Sequence, residues 1–194
     1  FTLQAVKKLF DLSCPLVILA CNTASAKALR TIQQTNLPSI DPTRRVLGVI
    51  RPTVECIGEL TQSRHIGLLA TTGTIKSESY LLEIQKLFPD ISVIGEACPM
   101  WVPLVENNEY HSQGADYFVQ KHIQQLLKKD PQIDTIILGC THYPVLSGAI
   151  KKVVGDSVTL INAGTSTAEA VKEFLIENDL HSDSNEIGKH SFFV

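Results

Sequence analysis

Two segments of the chain share one pattern: Pro15-Leu16-Val17-Ile18-Leu19-Ala20-Cys21-Asn22-Thr23 and Asp134-Thr135-Ile136-Ile137-Leu138-Gly139-Cys140-Thr141-His142. Each is an apolar run rich in β-branched residues and leucine, then a small residue, then a cysteine with a threonine close behind. Such a run reads as a buried parallel strand. Each cysteine then stands where its strand ends, which is where open α/β sheets bind ligands. One thiol there is a candidate nucleophile. Two thiols at matching strand ends suggest an acid and a base facing one substrate. A helix N-terminus brings partial positive charge and free N–H groups, which lower a thiol pKa from about 8.5 toward neutrality. A two-base proton transfer needs one thiol and one thiolate.

Other residues gather round this pair. His142 follows Cys140 by two positions and shares its turn, so it is the candidate acid/base partner of that thiol. Ala70-Thr71-Thr72-Gly73-Thr74 also follows an apolar run and opens a helix, where hydroxyls and N–H groups can hold a carboxylate. The same threonines also suit plain helix capping. Glu106 ends the apolar stretch Val102-Pro103-Leu104-Val105 and is a weaker candidate. Cys14, Cys56 and Cys98 read as small core residues. The remaining histidines, at 65, 111, 122, 181 and 190, read as surface or paired groups. Cys21, Cys140 and His142 could supply three zinc ligands, but their spacing matches no common zinc motif and no fourth ligand is evident, so no metal is expected.

The elements that must position these groups alternate. Helical spacing covers 2–12, strand 15–20 follows, and Asn22 or Thr23 caps a helix toward Asn36. Further strands are expected at 46–50, 65–70, 91–95, 135–138, 158–161 and 191–194. Helices are expected from Pro52 to about Thr61, over 74–88, near Leu104, and over 114–129, 144–154 and 165–178. Strand and helix in alternation predict an α/β class with mainly parallel sheets flanked by helices, arranged as two similar lobes with the site between them. The expected division is a first domain from 1–45 and 159–194 and a second from 46–158.

Composition narrows the function. Hydrophobic residues make up 44% and charged residues 19% of the 194, which fits a globular chain with a real core rather than disorder or coiled coil. A net charge of −3 offers no basic field for nucleic acid. The apolar runs fall short of the roughly 20 residues of a membrane helix. Five cysteines, an odd number with no CxxC, suit free thiols in a reducing cytoplasm.

ACNTASA (20–26) and LGCTHYPVL (138–146) resemble the paired signatures of the cofactor-independent Asp/Glu racemases, on the glutamate side of that family. ATTGTIKSESY (70–80) and CPMWVPLVE (98–106) are similar to its intervening segments, in the same order. His142 after Cys-Thr matches the glutamate rather than the aspartate branch. The resemblance implies racemisation of L- and D-glutamate by proton transfer at Cα, without a cofactor, supplying D-glutamate for peptidoglycan. It implies Cys21 as the base toward D-glutamate and Cys140 as the base toward L-glutamate. His142 would assist Cys140, with Glu106 nearby. Asn22, Thr23, Thr71, Thr74 and Thr141 would hold the ammonium and carboxylates in a closed, dry site. The expected partner is a small molecule, with no nucleic acid or membrane; a homodimer is left open.

The family also carries an Asp-Ser-Gly segment and a Pro-Tyr-Gly segment that would precede Phe1. Ile161-Asn162-Ala163-Gly164 stands where it often has an Asp-Ser pair. The expectation is therefore a chain cut at both ends, with an incomplete site around Cys21. Two other classes remain. A Cys-His hydrolase or acyltransferase would use Cys140 and His142 and leave Cys21 idle. A noncatalytic two-lobe amino-acid-binding module would need neither thiol.

Overall fold

The protein is described here from a computed structural model, which covers residues 1–182 and 188–193. Its elements, in chain order, begin with α1 (Thr2–Asp11), β1 (Leu16–Leu19), α2 (Asn22–Thr31), α3 (Leu37–Ile40), β2 (Arg45–Gly48), α4 (Ile50–Glu55) and α5 (Ile57–Leu60). There follow β3 (His65–Ala70), α6 (Thr72–Ser77), α7 (Ser79–Leu87), β4 (Ser92–Ala97), α8 (Trp101–Glu106) and α9 (Gln113–Lys129). The chain continues through β5 (Thr135–Gly139), α10 (Ser147–Val154), β6 (Thr159–Asn162) and α11 (Ala163–Glu177).

Every strand pair among the described residues is parallel, as alternation with helices requires. β1 and β2 form a two-stranded sheet; the other four strands form a second sheet in the order β4-β3-β5-β6. The α/β class with helix-flanked parallel sheets is as expected. β2 bonds to β1, and β6 bonds to β5. Short strands such as Thr159–Asn162 carry no mark of which neighbour they will find. The two sheets are also unequal in size. Residues 191–193 form no strand, and Val194 lies outside the described residues. The helix expected over 74–88 is two helices, because Glu78 takes a left-handed conformation (φ 54°) between α6 and α7.

Strand alternation sorts the core. From β5, which is buried along its length, Ile136 and Leu138, with Cys140 just beyond it, join the cluster containing Val119, Ile123 and Leu126 of α9. Ile137 joins the opposite cluster, with Ile66 and Leu68 of β3 and Tyr80 and Ile84 of α7. A third cluster, Val6, Phe10, Val17, Leu19, Ile32 and Val46, covers β1 and β2. Asp134 pins the start of β5 to the turn before β3: its carboxylate accepts hydrogen bonds from Thr61 Oγ1 and the Gln62 and Ser63 amides. Burial alone would raise that carboxyl, but these donors and the Thr135 hydroxyl hold it down at about 2.

Candidate active site

The register of the larger sheet brings two candidate segments side by side. Ala70 of β3 lies opposite Gly139 of β5, so Thr71 and Cys140 leave adjacent strand ends together. Gly139 is needed for this closeness. A Cβ there would lie 2.9 Å from Leu68 Cδ1 and 3.2 Å from the Leu69 carbonyl oxygen.

Cys140 is buried, at 7% exposure. Its sulfur lies 3.8 Å from His142 Nδ1. His142 Nε2 meets Glu106 Oε1 at 2.5 Å, and the Thr141 hydroxyl is 3.4 Å from Nδ1. In a neutral imidazole whose Nε2–H donates to Glu106, Nδ1 is left as the acceptor facing the thiol. Glu106 arrives from the last position of α8, and α8 is anchored by Trp101, which is fully buried and packs edge-on against Tyr143. The Tyr143 hydroxyl in turn donates to the Cys98 carbonyl. One aromatic contact thus fixes both the helix bearing Glu106 and the turn bearing His142.

The Cys140 thiol is pushed up from its ordinary pKa, chiefly by burial. The His142 amide opposes the shift, a thiolate at Cys21 adds to it, and the Thr141 hydroxyl and Tyr143 amide oppose it. This corrects the expectation of a lowered value at that position: the thiol is buried, and desolvation outweighs the nearby donors.

Cys21 is the N-cap residue of α2, in extended conformation (φ −73°, ψ 122°), so neither Asn22 nor Thr23 caps that helix. It is exposed, and no hydrogen-bond partner for its thiol is found among the described residues. Cys140 is buried and Cys21 is exposed. Thr23, Thr71 and Thr74 come together: their hydroxyl oxygens lie 2.8 Å (23–71), 3.0 Å (23–74) and 3.1 Å (71–74) apart. Thr71 also caps α6 by accepting from the Thr74 amide, so capping and site roles coincide. Gly73 lets α6 approach α2, since a Cβ there would stand 3.1 Å from Thr23 Cγ2. Asn22 is buried, and its Oδ1 accepts from the Tyr80 hydroxyl at 2.6 Å. Reading the sequence missed Tyr80. It lies 58 positions from Asn22, and only its place at the end of the 70–80 segment could have flagged it.

His65 pairs with Asp130 and His122 with Glu96, in keeping with their reading as paired groups. Among the described residues, no three His, Cys, Asp or Glu side chains converge as a metal site, and no helix is long and apolar enough to cross a membrane. A cavity of about 700 Å³ lies elsewhere, between α2, α4, α7 and α11, and no cysteine lines it.

The sequence model of the Asp/Glu/Hydantoin racemase family matches residues 1–171. The chain belongs to the Asp/Glu/Hydantoin racemase family. Its relatives in that family include the glutamate racemase of Lysinibacillus sphaericus, 38% identical over the whole chain and 70% of that protein. The glutamate racemase of Geobacter metallireducens is 34% identical over the whole chain and 69% of its own length. Among solved racemases, glutamate racemase isoform RacE1 from Bacillus anthracis superposes with a TM-score of 0.86 at 33% identity, covering 94% of this chain and 66% of that one. The Francisella tularensis glutamate racemase, solved with D-glutamate, gives 0.82 at 30% identity, covering 94% and 65%. The chain therefore spans about 70% of the first two relatives and about two thirds of these solved chains. Isomerase chemistry on glutamate is what these racemase relatives support.

Proposed function

We propose that the chain carries the two-thiol machinery of a glutamate racemase. A thiolate at one strand end removes the α-proton, and the thiol at the other delivers a proton to the opposite face of the carbanion. One C–H bond breaks and one forms, so no cofactor is needed. Cys21 is the base toward D-glutamate and Cys140 the base toward L-glutamate. His142, steadied by Glu106, takes the Cys140 proton when that residue must become a thiolate. Asn22, Thr23, Thr71, Thr74 and Thr141 bind the ammonium and carboxylates and stabilise developing charge at the carboxylate. The observation that supports this best is the placing of the two thiols: each follows a strand end, and Thr23 beside Cys21 meets Thr71, whose strand end adjoins that of Cys140. D-Glutamate made this way would serve peptidoglycan synthesis in the cytoplasm, with a small molecule as the only partner the reading requires.

The Cys140–His142 contact also fits acyl transfer through a thioester. That reading leaves Cys21 without a task. Circular dichroism of the full-length protein with each glutamate enantiomer decides between them. Loss of optical activity from both enantiomers is expected; a trapped acyl-thioester with no inversion would overturn the racemase reading.

A further inference from the structure

The Asn22 amide is an unfinished hydrogen-bond site. Asn22 is 2% exposed, and its Nδ2 is buried without a partner among the described residues. Its Oδ1 is held by the hydroxyl of Tyr80, itself 1% exposed. A carboxamide carries oxygen and nitrogen on opposite sides of one carbon, so a donor fixed on Oδ1 turns the NH₂ the other way. Buried N–H groups are desolvated at a cost unless an acceptor meets them. The neighbours of Asn22 in the chain are Cys21 and Thr23, and the Thr23 hydroxyl lies against those of Thr71 and Thr74.

We infer that Tyr80 is a positioning residue for substrate: by holding Oδ1 of Asn22 it presents the Asn22 NH₂ to a carboxylate oxygen of the bound amino acid. This rests on the proposed racemase reading, in which Asn22 binds glutamate, and assigns that amide to a carboxylate rather than to the ammonium. An ammonium group has no lone pair for an NH₂ to donate to. Tyr80 suits the task, because burial pushes its phenol well above the ordinary value and keeps it a neutral donor. The Ser79 hydroxyl bonds to the Ala26 carbonyl at 3.1 Å, so α7 and α2 are tied together beside this contact.

The test is steady-state kinetics of Tyr80→Phe in the full-length protein, which keeps the ring in the core and removes only the hydroxyl. KM for glutamate is expected to rise about tenfold, the loss of one net hydrogen bond, with kcat within about threefold. In an Asn22→Ala background the same change should move KM by less than about twofold, since Tyr80 acts through Asn22. An unchanged KM in the single variant, or the full effect persisting without Asn22, overturns the assignment. If Tyr80→Phe fails to fold, Asn22→Asp keeps an oxygen for Tyr80 and replaces the NH₂ with a second oxygen. Glutamate affinity should then fall more than tenfold by calorimetry, and unchanged affinity overturns the assignment. Wild-type exchange of the α-hydrogen with solvent separates the two levels. If exchange occurs and KM is unmoved, only the Tyr80 role falls; if wild type neither exchanges nor racemises glutamate, both fall.

Discussion

Cys21 and Cys140 end similar runs of sequence but sit in opposite surroundings. Cys140 follows a strand buried along its whole length, belongs to the same core cluster as Tyr143, and has His142 and Glu106 lined up behind it. Cys21 caps a helix, is exposed, and has no thiol partner among the described residues. The residues before them differ in the same way. Ala20 is exposed and has room for its Cβ, whereas Gly139 has none. A shared motif sets where a thiol stands; the packing around it sets its chemistry. In the proposed mechanism the buried thiol needs help to ionise, because desolvation pushes its pKa up.

The comparison can be broken most sharply at the thiols themselves. Cys21→Ser and Cys140→Ser should each lower racemisation by about 10³-fold or more, with glutamate binding largely kept, as loss of a positioned acid/base group predicts. Circular dichroism for turnover and calorimetry for binding check this. A Cys21→Ser variant with full turnover would remove the exposed thiol from the mechanism. A smaller asymmetry should follow at the helper. His142→Asn should lower kcat from L-glutamate, where Cys140 is the base, by about 10- to 100-fold and kcat from D-glutamate less, with KM compensating so that kcat/KM falls equally in both directions. Glu106→Gln should cost only a few-fold, roughly what an exposed partner is worth, because its side chain is 61% exposed. An equal loss of kcat in both directions would mean that His142 does not serve Cys140 alone. The smallest effect is on stability. Gly139→Ala should cost about 1–3 kcal/mol by overpacking against Leu68 and Leu69, and Ala20→Gly about 1 kcal/mol or less. Urea denaturation of the two variants measures the difference.

The strand-end position of both cysteines was legible because long apolar runs punctuated by a small residue leave little choice of element. The threonine turn at 71–74 was legible as a helix start for the same reason that it works in the site: the Thr71 hydroxyl accepts from the helix's own amide. What could not be read depends on contacts far apart in the chain. Burial of Cys140 comes with a core cluster that draws residues from β3, α8 and α9, the Asn22–Tyr80 bond spans 58 positions, and pairing of β6 with β5 depends on the crossover of α10. The break at Glu78 was hidden because a glutamate gives no turn signal, although it adopts the left-handed conformation there.

The central claim is that two different thiols take and give the proton. Racemisation in D₂O, started from each pure enantiomer and stopped early, tests it most directly by mass spectrometry of the separated enantiomers. The account predicts that the product enantiomer carries deuterium at Cα in both directions while the unreacted substrate keeps hydrogen. Product that retains the substrate's own α-hydrogen would contradict it.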